Sequence, residues 1–410
     1  MLWANFLHIY QPPTQSREIT ERVTRECYRP LVQLLLASPR ARLTLNINGV
    51  LTEQLARWGG QDVLDGVRAL AERGQIEFTG SAKFHPILPL LPETEIVRQI
   101  RLNEETNRAA LGNAYRPQGF FCPEMCYARR VAEIAADLGY RWLVIDELCY
   151  SGRFGQVRTD TWHTLTGRPD VGILFKDRAA SGGIAFGRAP TLEALRGLVG
   201  DRIRQGGVLL TGTDGEIYGH HRPGQERLLA EAFADSNVET VRISDLRDIL
   251  KRQEAVDPRP GSWSTWEDEL ALGVPYPQWW YPGHRLHQLQ WALTDTALDA
   301  VGRADPHTPG WIEARALADE GLHSCQYWWA SCRPWWDVGM TERGAEVLRR
   351  AVESLAEAPE DARTRARAFA REISVTARRW HDAGIAKSLQ RRYMEQHASV
   401  TSLLTFGSIA

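Results

Sequence analysis

Gly119-Phe120-Phe121-Cys122-Pro123-Glu124-Met125 is a short apolar run broken by a proline and a carboxylate. It reads as a buried strand over 119–122 that Pro123 ends. A helical pattern follows, with Val131, Ile134, Ala135 and Leu138 on one face and Gly139 as its stop. Strand, turn and helix in that order form one unit of a parallel sheet. Six more short apolar runs, at 3–10, 43–48, 76–80, 142–145, 171–175 and 208–212, have the same character. Helical patterns lie between them, as over 63–73, where Val67, Leu70 and Ala71 share a face and Gly74 stops the helix. Seven parallel strands with crossover helices predict an α/β fold, a distorted (β/α)7 TIM-like barrel.

Asp257-Pro258-Arg259-Pro260-Gly261 reads as a boundary. Beyond it Leu286, Leu289, Leu293, Ala297 and Val301 recur at helix spacing, as do Val347, Leu348, Val352 and Leu355. An Arg-rich amphipathic helix is expected over 361–383, before Gly384. The expected organisation is a barrel over 1–256 and a C-terminal α-helical bundle over 257–410 that completes the cleft.

The chain has 410 residues, 43% hydrophobic and 24% charged, with a net charge of -2. That balance gives no pull toward nucleic acid or an anionic membrane, and no apolar run is long enough to span one. The first eight residues lack the basic start and apolar stretch of a secretory leader, and six cysteines in so long a chain suit reduced thiols. A cytoplasmic location is expected. Of the 15 Trp, ten fall between residues 260 and 340. Indoles fill cores, but Trp-Trp steps among Pro and Gly also suit stacking on sugar rings.

In parallel barrels the reactive groups stand where strands end. His8, Tyr10 and Gln11 close the first expected strand. Glu77 lies in the third, with His85 just beyond; Glu124 ends the fourth and Asp214 the seventh. Two carboxylates facing one cleft are the minimum equipment for breaking a glycosidic bond, one as nucleophile and one as proton donor. Each has an ordinary structural alternative, since Glu is favoured at helix N-termini and Asp-Gly at turns. Glu216 competes with Asp214 for the acid role, being two residues on. Asp146-Glu147, at the end of the fifth strand, is a third acidic pair with a supporting role expected. Cys122 and Cys126, His220-His221 and His284-x-x-His287 lack a metal site's full ligand set, so no metal and no cofactor are expected. His220 is expected to bind substrate hydroxyls instead.

In their order these motifs resemble glycoside hydrolase family 57, the α-glucan-active amylases and glucanotransferases. The family's opening His-x-His-Gln-Pro is matched by His8-Ile9-Tyr10-Gln11-Pro12, with Tyr10 in place of the second His. Gly74-Gln75-Ile76-Glu77, Phe121-Cys122-Pro123-Glu124-Met125 and Asp214-Gly215-Glu216-Ile217-Tyr218-Gly219-His220 match the next three motifs. Ser324-Cys325-Gln326-Tyr327-Trp328-Trp329 resembles the late aromatic one. The resemblance implies a seven-fold barrel with a helical domain, an oligo- or polysaccharide α-glucan substrate, and a retaining mechanism without metal. It implies Glu124 as nucleophile and Asp214 as acid/base. His8, Gln11, Glu77 and His85 would hold sugar hydroxyls, and Trp328 and Trp329 would form a stacking wall. Two other readings compete. A metal-dependent polysaccharide deacetylase would need paired His ligands, and no His-x3-His is present. A barrel that only binds glycan or a partner protein would have no use for a matched acid pair.

Overall fold

The computed structural model describes residues 1–201 and 207–397. All seven expected strands are present: β1 (Leu2–Ile9), β2 (Leu43–Ile47), β3 (Ile76–Gly80), β4 (Gly119–Phe121), β5 (Trp142–Asp146), β7 (Arg168–Lys176) and β8 (Val208–Asp214). Three others were not expected: β6 (Thr161–Leu165), β9 (Glu239–Val241) and β10 (Arg252–Val256). β6 precedes a turn at Gly167, whose φ of 81° suits glycine, and folds back antiparallel on β7. β10 then pairs with β6 at the sheet edge. Its sequence, Arg-Gln-Glu-Ala-Val, is mostly exposed, so it carries no apolar stripe from which a strand could be read.

The sheet runs β10-β6-β7-β5-β4-β3-β2-β1-β8. Apart from the β6–β7 hairpin, neighbouring strands are parallel. Curled round, it brings β8 toward β7, and Asp177 N–H donates to the Leu210 carbonyl at 2.7 Å across the gap. The result is the expected distorted barrel, with a seam between β7 and β8. β9 pairs with the lower half of β1, on residues Leu2–Ala4, below the stretch that pairs with β2.

Strand parity decides what faces inward. Trp3, Leu7 and Ile9 of β1 pack outward against helices, in a core shared with Leu31, Val67 and Leu70. Ala4 and Phe6 pack with Phe121, Val144, Leu174 and Leu210 in the barrel interior. The next inward positions, at the C-terminal ends of the strands, turn polar: His8, Asn46, Asp146, Lys176 and Asp214. The floor is therefore sealed by apolar groups and the mouth is polar.

Helices Arg285–Arg303, Trp311–Gly321, Val338–Glu353 and Glu360–Asp382 form a bundle around Leu286, Leu289, Leu293, Val301, Leu348, Val352 and Ile373. The expected helix at 361–383 is thus present. Gly384, at φ 69°, turns the chain into the helix Ile385–Gln396. The rest of the expected second domain, 398–410, lies outside the described residues.

A buried ion network ties bundle to barrel. Arg315 contacts both Glu95 oxygens at 3.0 Å and Asp319 at 3.1 Å. Arg98 contacts Asp319 through Nε at 2.8 Å and Nη2 at 2.6 Å. Arg315, Glu95 and Asp319 are all buried. Removing one partner from a buried network strands the others' charge, at about 3–5 kcal/mol. Arg315→Met should lose stability of that order in thermal and denaturant melts. A variant melting with the parent would show that the network contributes nothing.

Candidate active site

Glu124 stands just past β4 with φ 60° and ψ 17°, and Met125 follows at φ 49°. Left-handed backbone at non-glycine residues is costly and persists only where the surroundings enforce it. Here Pro123 fixes the entry, and the segment 261–263 clamps the exit. Tyr127 and Gly261 form an antiparallel bridge, and Trp263 N–H donates to the Glu124 carbonyl at 3.3 Å. The Trp263 indole Nε1–H also donates to Glu124 Oε2 at 2.8 Å. Oε1 is left facing His85 Nδ1 at 3.7 Å. The Glu124 side chain keeps 16% exposure, so it opens onto the cleft.

Asp214, the last residue of β8, lies in register with His8 on β1. Burial pushes the Asp214 carboxyl up to about 6, opposed by the Lys176 charge. Burial also raises Glu124, to about 8, with repulsion from Asp214 adding to it and hydrogen bonds from Trp263 and Ser324 working against it. The Asp214 charge thus acts on Glu124, and the two carboxyls do not titrate independently.

Around them stands an aromatic stack. The His85 ring lies 4.8 Å from His8 and 4.1 Å from Tyr10, nearly parallel to both. His8 contacts Asn46 Oδ1 at 2.8 Å, and Asn46 Nδ2 donates to Thr79 Oγ1 at 3.0 Å. His85 Nδ1 meets Ser324 Oγ at 2.9 Å, and its buried Nε2 has no protein partner among the described residues. Burial lowers His8 to about 4 and holds His85 well below the usual range, with help from the neighbouring imidazoles. Both rings are therefore neutral near pH 7.

The remaining expected residues fall into two groups. Gln11 and Glu216 underpin the first loop: Gln11 Nε2 donates to Tyr28 Oη at 3.2 Å, Tyr28 donates to Glu216 Oε1, and Tyr10 N–H donates to the same oxygen at 3.0 Å. Glu216, raised to about 8 chiefly by burial, is occupied in holding Tyr10. Glu77, His220, Trp328 and Trp329 make their contacts with groups other than the two carboxylates among the described residues. Glu77 is the second residue of β3, near the barrel floor, and accepts from Thr44 Oγ1 at 2.8 Å and Ser244 N–H at 3.0 Å. The expectation set it at the mouth with His85, but three strand residues still separate it from that end. His220 pairs with Glu26 at 2.6 Å. Trp328 and Trp329 pack against each other and Trp335, one helical turn past Ser324.

Most of the tryptophan cluster serves packing. Trp279 is fully buried, Trp291 stacks on Tyr327 at 4.5 Å, and Trp311 and Trp336 line the bundle core. Sequence reasoning missed Trp263, Ser324 and Lys176. Trp263 follows the Pro-Gly boundary and Ser324 opens the late aromatic motif, but no local pattern marks either as a partner of Glu124. Asp146 has the supporting role expected of it, held by Lys176 at 3.0 Å and Arg178 at 3.0 Å.

The model described as Glycosyl hydrolase family 57 matches residues 5–257. An α-amylase of Pyrococcus horikoshii is 26% identical over 141 residues, 34% of this chain and 22% of that protein. A 4-α-glucanotransferase of Thermococcus litoralis is 25% identical over 141 residues, 34% of this chain and 21% of that protein. The matched segment thus spans about a fifth of the length of these curated relatives. Among solved structures, a family 57 branching enzyme from Pyrococcus horikoshii shares the fold at a TM-score of 0.65 and 15% identity, over 96% of this chain and 94% of that one. A branching enzyme from Thermococcus kodakaraensis, in complex with glucose, does so at 0.66 and 14%, over 92% and 96%. With its acid pair at the ends of β4 and β8 and a family match reaching from β1 to the end of β10, the chain belongs to glycosyl hydrolase family 57.

Proposed function

We propose that the protein is a retaining glycoside hydrolase or 4-α-glucanotransferase acting on α-glucans and malto-oligosaccharides. The observation that carries this reading is the coupled, buried pair Glu124 and Asp214 at the barrel mouth. Curated relatives named α-amylase and 4-α-glucanotransferase support the substrate class.

Glu124 is the nucleophile. Trp263 occupies Oε2 and leaves Oε1 to bond the anomeric carbon. As that bond forms, Asp214 gives its proton to the departing glycosidic oxygen. In the second half the Asp214 carboxylate takes a proton from water or a sugar hydroxyl. The new oxygen–carbon bond displaces Glu124, whose carboxylate is restored. In the free site Glu124 holds a proton more tightly than Asp214 does. Positive charge developing on the sugar ring in the transition state favours ionised Glu124, so the reactive form is the one with the proton on Asp214. Neutral His8 and His85 and the Tyr10 hydroxyl offer hydrogen bonds to sugar hydroxyls without adding charge. The helical region completes the cleft through Ser324 and Cys325, as a second domain over 257–410. The six cysteines are free thiols, which suits a cytoplasmic enzyme.

The purified protein, given maltopentaose and soluble starch, should yield shorter sugars if it hydrolyses and longer ones as well if it transfers. Glu124→Gln should abolish both. Unchanged substrates with the parent protein would overturn the reading.

The pair also fixes a pH dependence. Below about 6 both carboxyls carry protons and Glu124 cannot attack; above about 8 neither does, and the leaving group goes unprotonated. The pH profile of kcat/KM should therefore be a bell centred at roughly pH 7. A profile still rising at pH 9 would mean that the proton is carried elsewhere.

A further inference from the structure

Lys176 is the last residue of β7 and points into the barrel, buried to 5% exposure. Its Nζ lies 3.0 Å from Asp146 Oδ2, and Asp146 is itself fully buried. Arg178 Nη1 holds the other Asp146 oxygen at 3.0 Å, and Leu148 N–H donates to that same oxygen at 3.0 Å. Two cations thus share one buried carboxylate.

The lysine stem crosses the seam between β7 and β8. A Cβ at Gly212 would stand 3.2 Å from Lys176 Cδ and 3.0 Å from Met125 Cε. Gly212 is two residues before Asp214 on the same strand and so faces the same way. The bare glycine leaves room for the stem just below the carboxylate, in a wall that is otherwise filled with side chains.

We propose that Lys176 is a positioning residue for Asp214: anchored by Asp146 and laid against Gly212, its ammonium group supplies the positive charge against which the acid/base carboxyl exchanges its proton. This rests on the role proposed for Asp214 above. The titratable groups facing Asp214 are His8 from β1, Glu124 after β4, Lys176 from β7, Glu216 beyond its own strand and Cys325 from the helical region. His8 is neutral, so among the described residues Lys176 is the cation that stabilises the ionised form of Asp214. Lys176 itself is faced by Asp146 and Cys149 from the β5 side, by Arg178 and by Asp214.

The benefit falls in the second half-reaction. Once Glu124 is esterified to the sugar its negative charge is gone. Asp214 then faces Lys176 without that opposing charge and remains ionised, as a base must. It takes the proton of the incoming water or sugar hydroxyl while the ester bond breaks and its electron pair returns to Glu124.

The test is the Asp214 titration, followed by its carboxyl infrared band with Asp214→Asn as the reference, in the parent and in Lys176→Met. The double variant Asp146→Asn/Lys176→Met removes the cation without stranding Asp146 and serves where the single variant fails to fold. Loss of the ammonium should raise the proton affinity of Asp214 at least about tenfold and shift the acidic limb of the pH profile upward with it. Lys176→Arg should restore both. An unmoved Asp214 midpoint in a folded variant overturns the proposal, whatever the activity. A moved midpoint in a protein that turns over no α-glucan supports the positioning role and refutes the assigned reaction instead.

Discussion

Glu124 is held in a backbone conformation that it would not adopt alone, and one residue 139 positions away holds it. Trp263 grips the peptide carbonyl with its N–H and the carboxylate with its indole. The left-handed turn costs about 1–3 kcal/mol, and the bridge between Tyr127 and Gly261 helps to offset it. The reason for such an arrangement is geometric. A helical backbone after Pro123 would carry the carboxylate on along the helix, whereas the left-handed step turns it back over the barrel mouth. The loop that crosses from barrel to bundle is therefore part of the candidate site, and the helices behind it support that loop. Trp266 Nε1, for example, donates to the Tyr393 hydroxyl of the helix Ile385–Gln396 at 2.9 Å.

The electrostatics follow from the same enclosure. Burial pushes the Glu124 and Asp214 carboxyls upward and the imidazoles of His8 and His85 downward, so the imidazole wall is neutral at neutral pH. This bears on Tyr10, where the family pattern has a histidine. A histidine in this stack, beside His85 and under the same burial, would also be neutral. The phenol keeps the ring contact with His85 and a hydroxyl, so the exchange alters shape and hydrogen bonding more than charge.

Much of this architecture could be read from the chain. The seven central strands are compact apolar runs, and buried parallel strands have that composition. Glu124 and Asp214 were legible because each closes such a run. What escaped was structure without a hydrophobic signature. β10 is polar and exposed, and β9 has three residues and shares an edge with β2 on β1. Glu77 was misplaced because its motif names a strand and not a depth along it; register with Thr44 puts it low in the barrel. Trp263 and Lys176 were hidden for a different reason. Their partners are remote in sequence, and only closure of the barrel and return of the chain after residue 257 bring them together.

β1 lies between β2 and β8, one strand in from an end of the sheet. Its outer partner, β8, emerges about 200 residues later, and the Tyr10–Glu216 contact spans 206 positions. At ribosomal speeds of about 5–20 residues per second, that is roughly 10–40 s during which one edge of a strongly apolar strand has no neighbour. Until then the barrel interior lacks Leu210 of β8, and the nascent chain carries an open sheet edge at β1. For this topology the hazardous interval lies during translation, and chaperone capture of a chain stalled before residue 208 is where it would be felt.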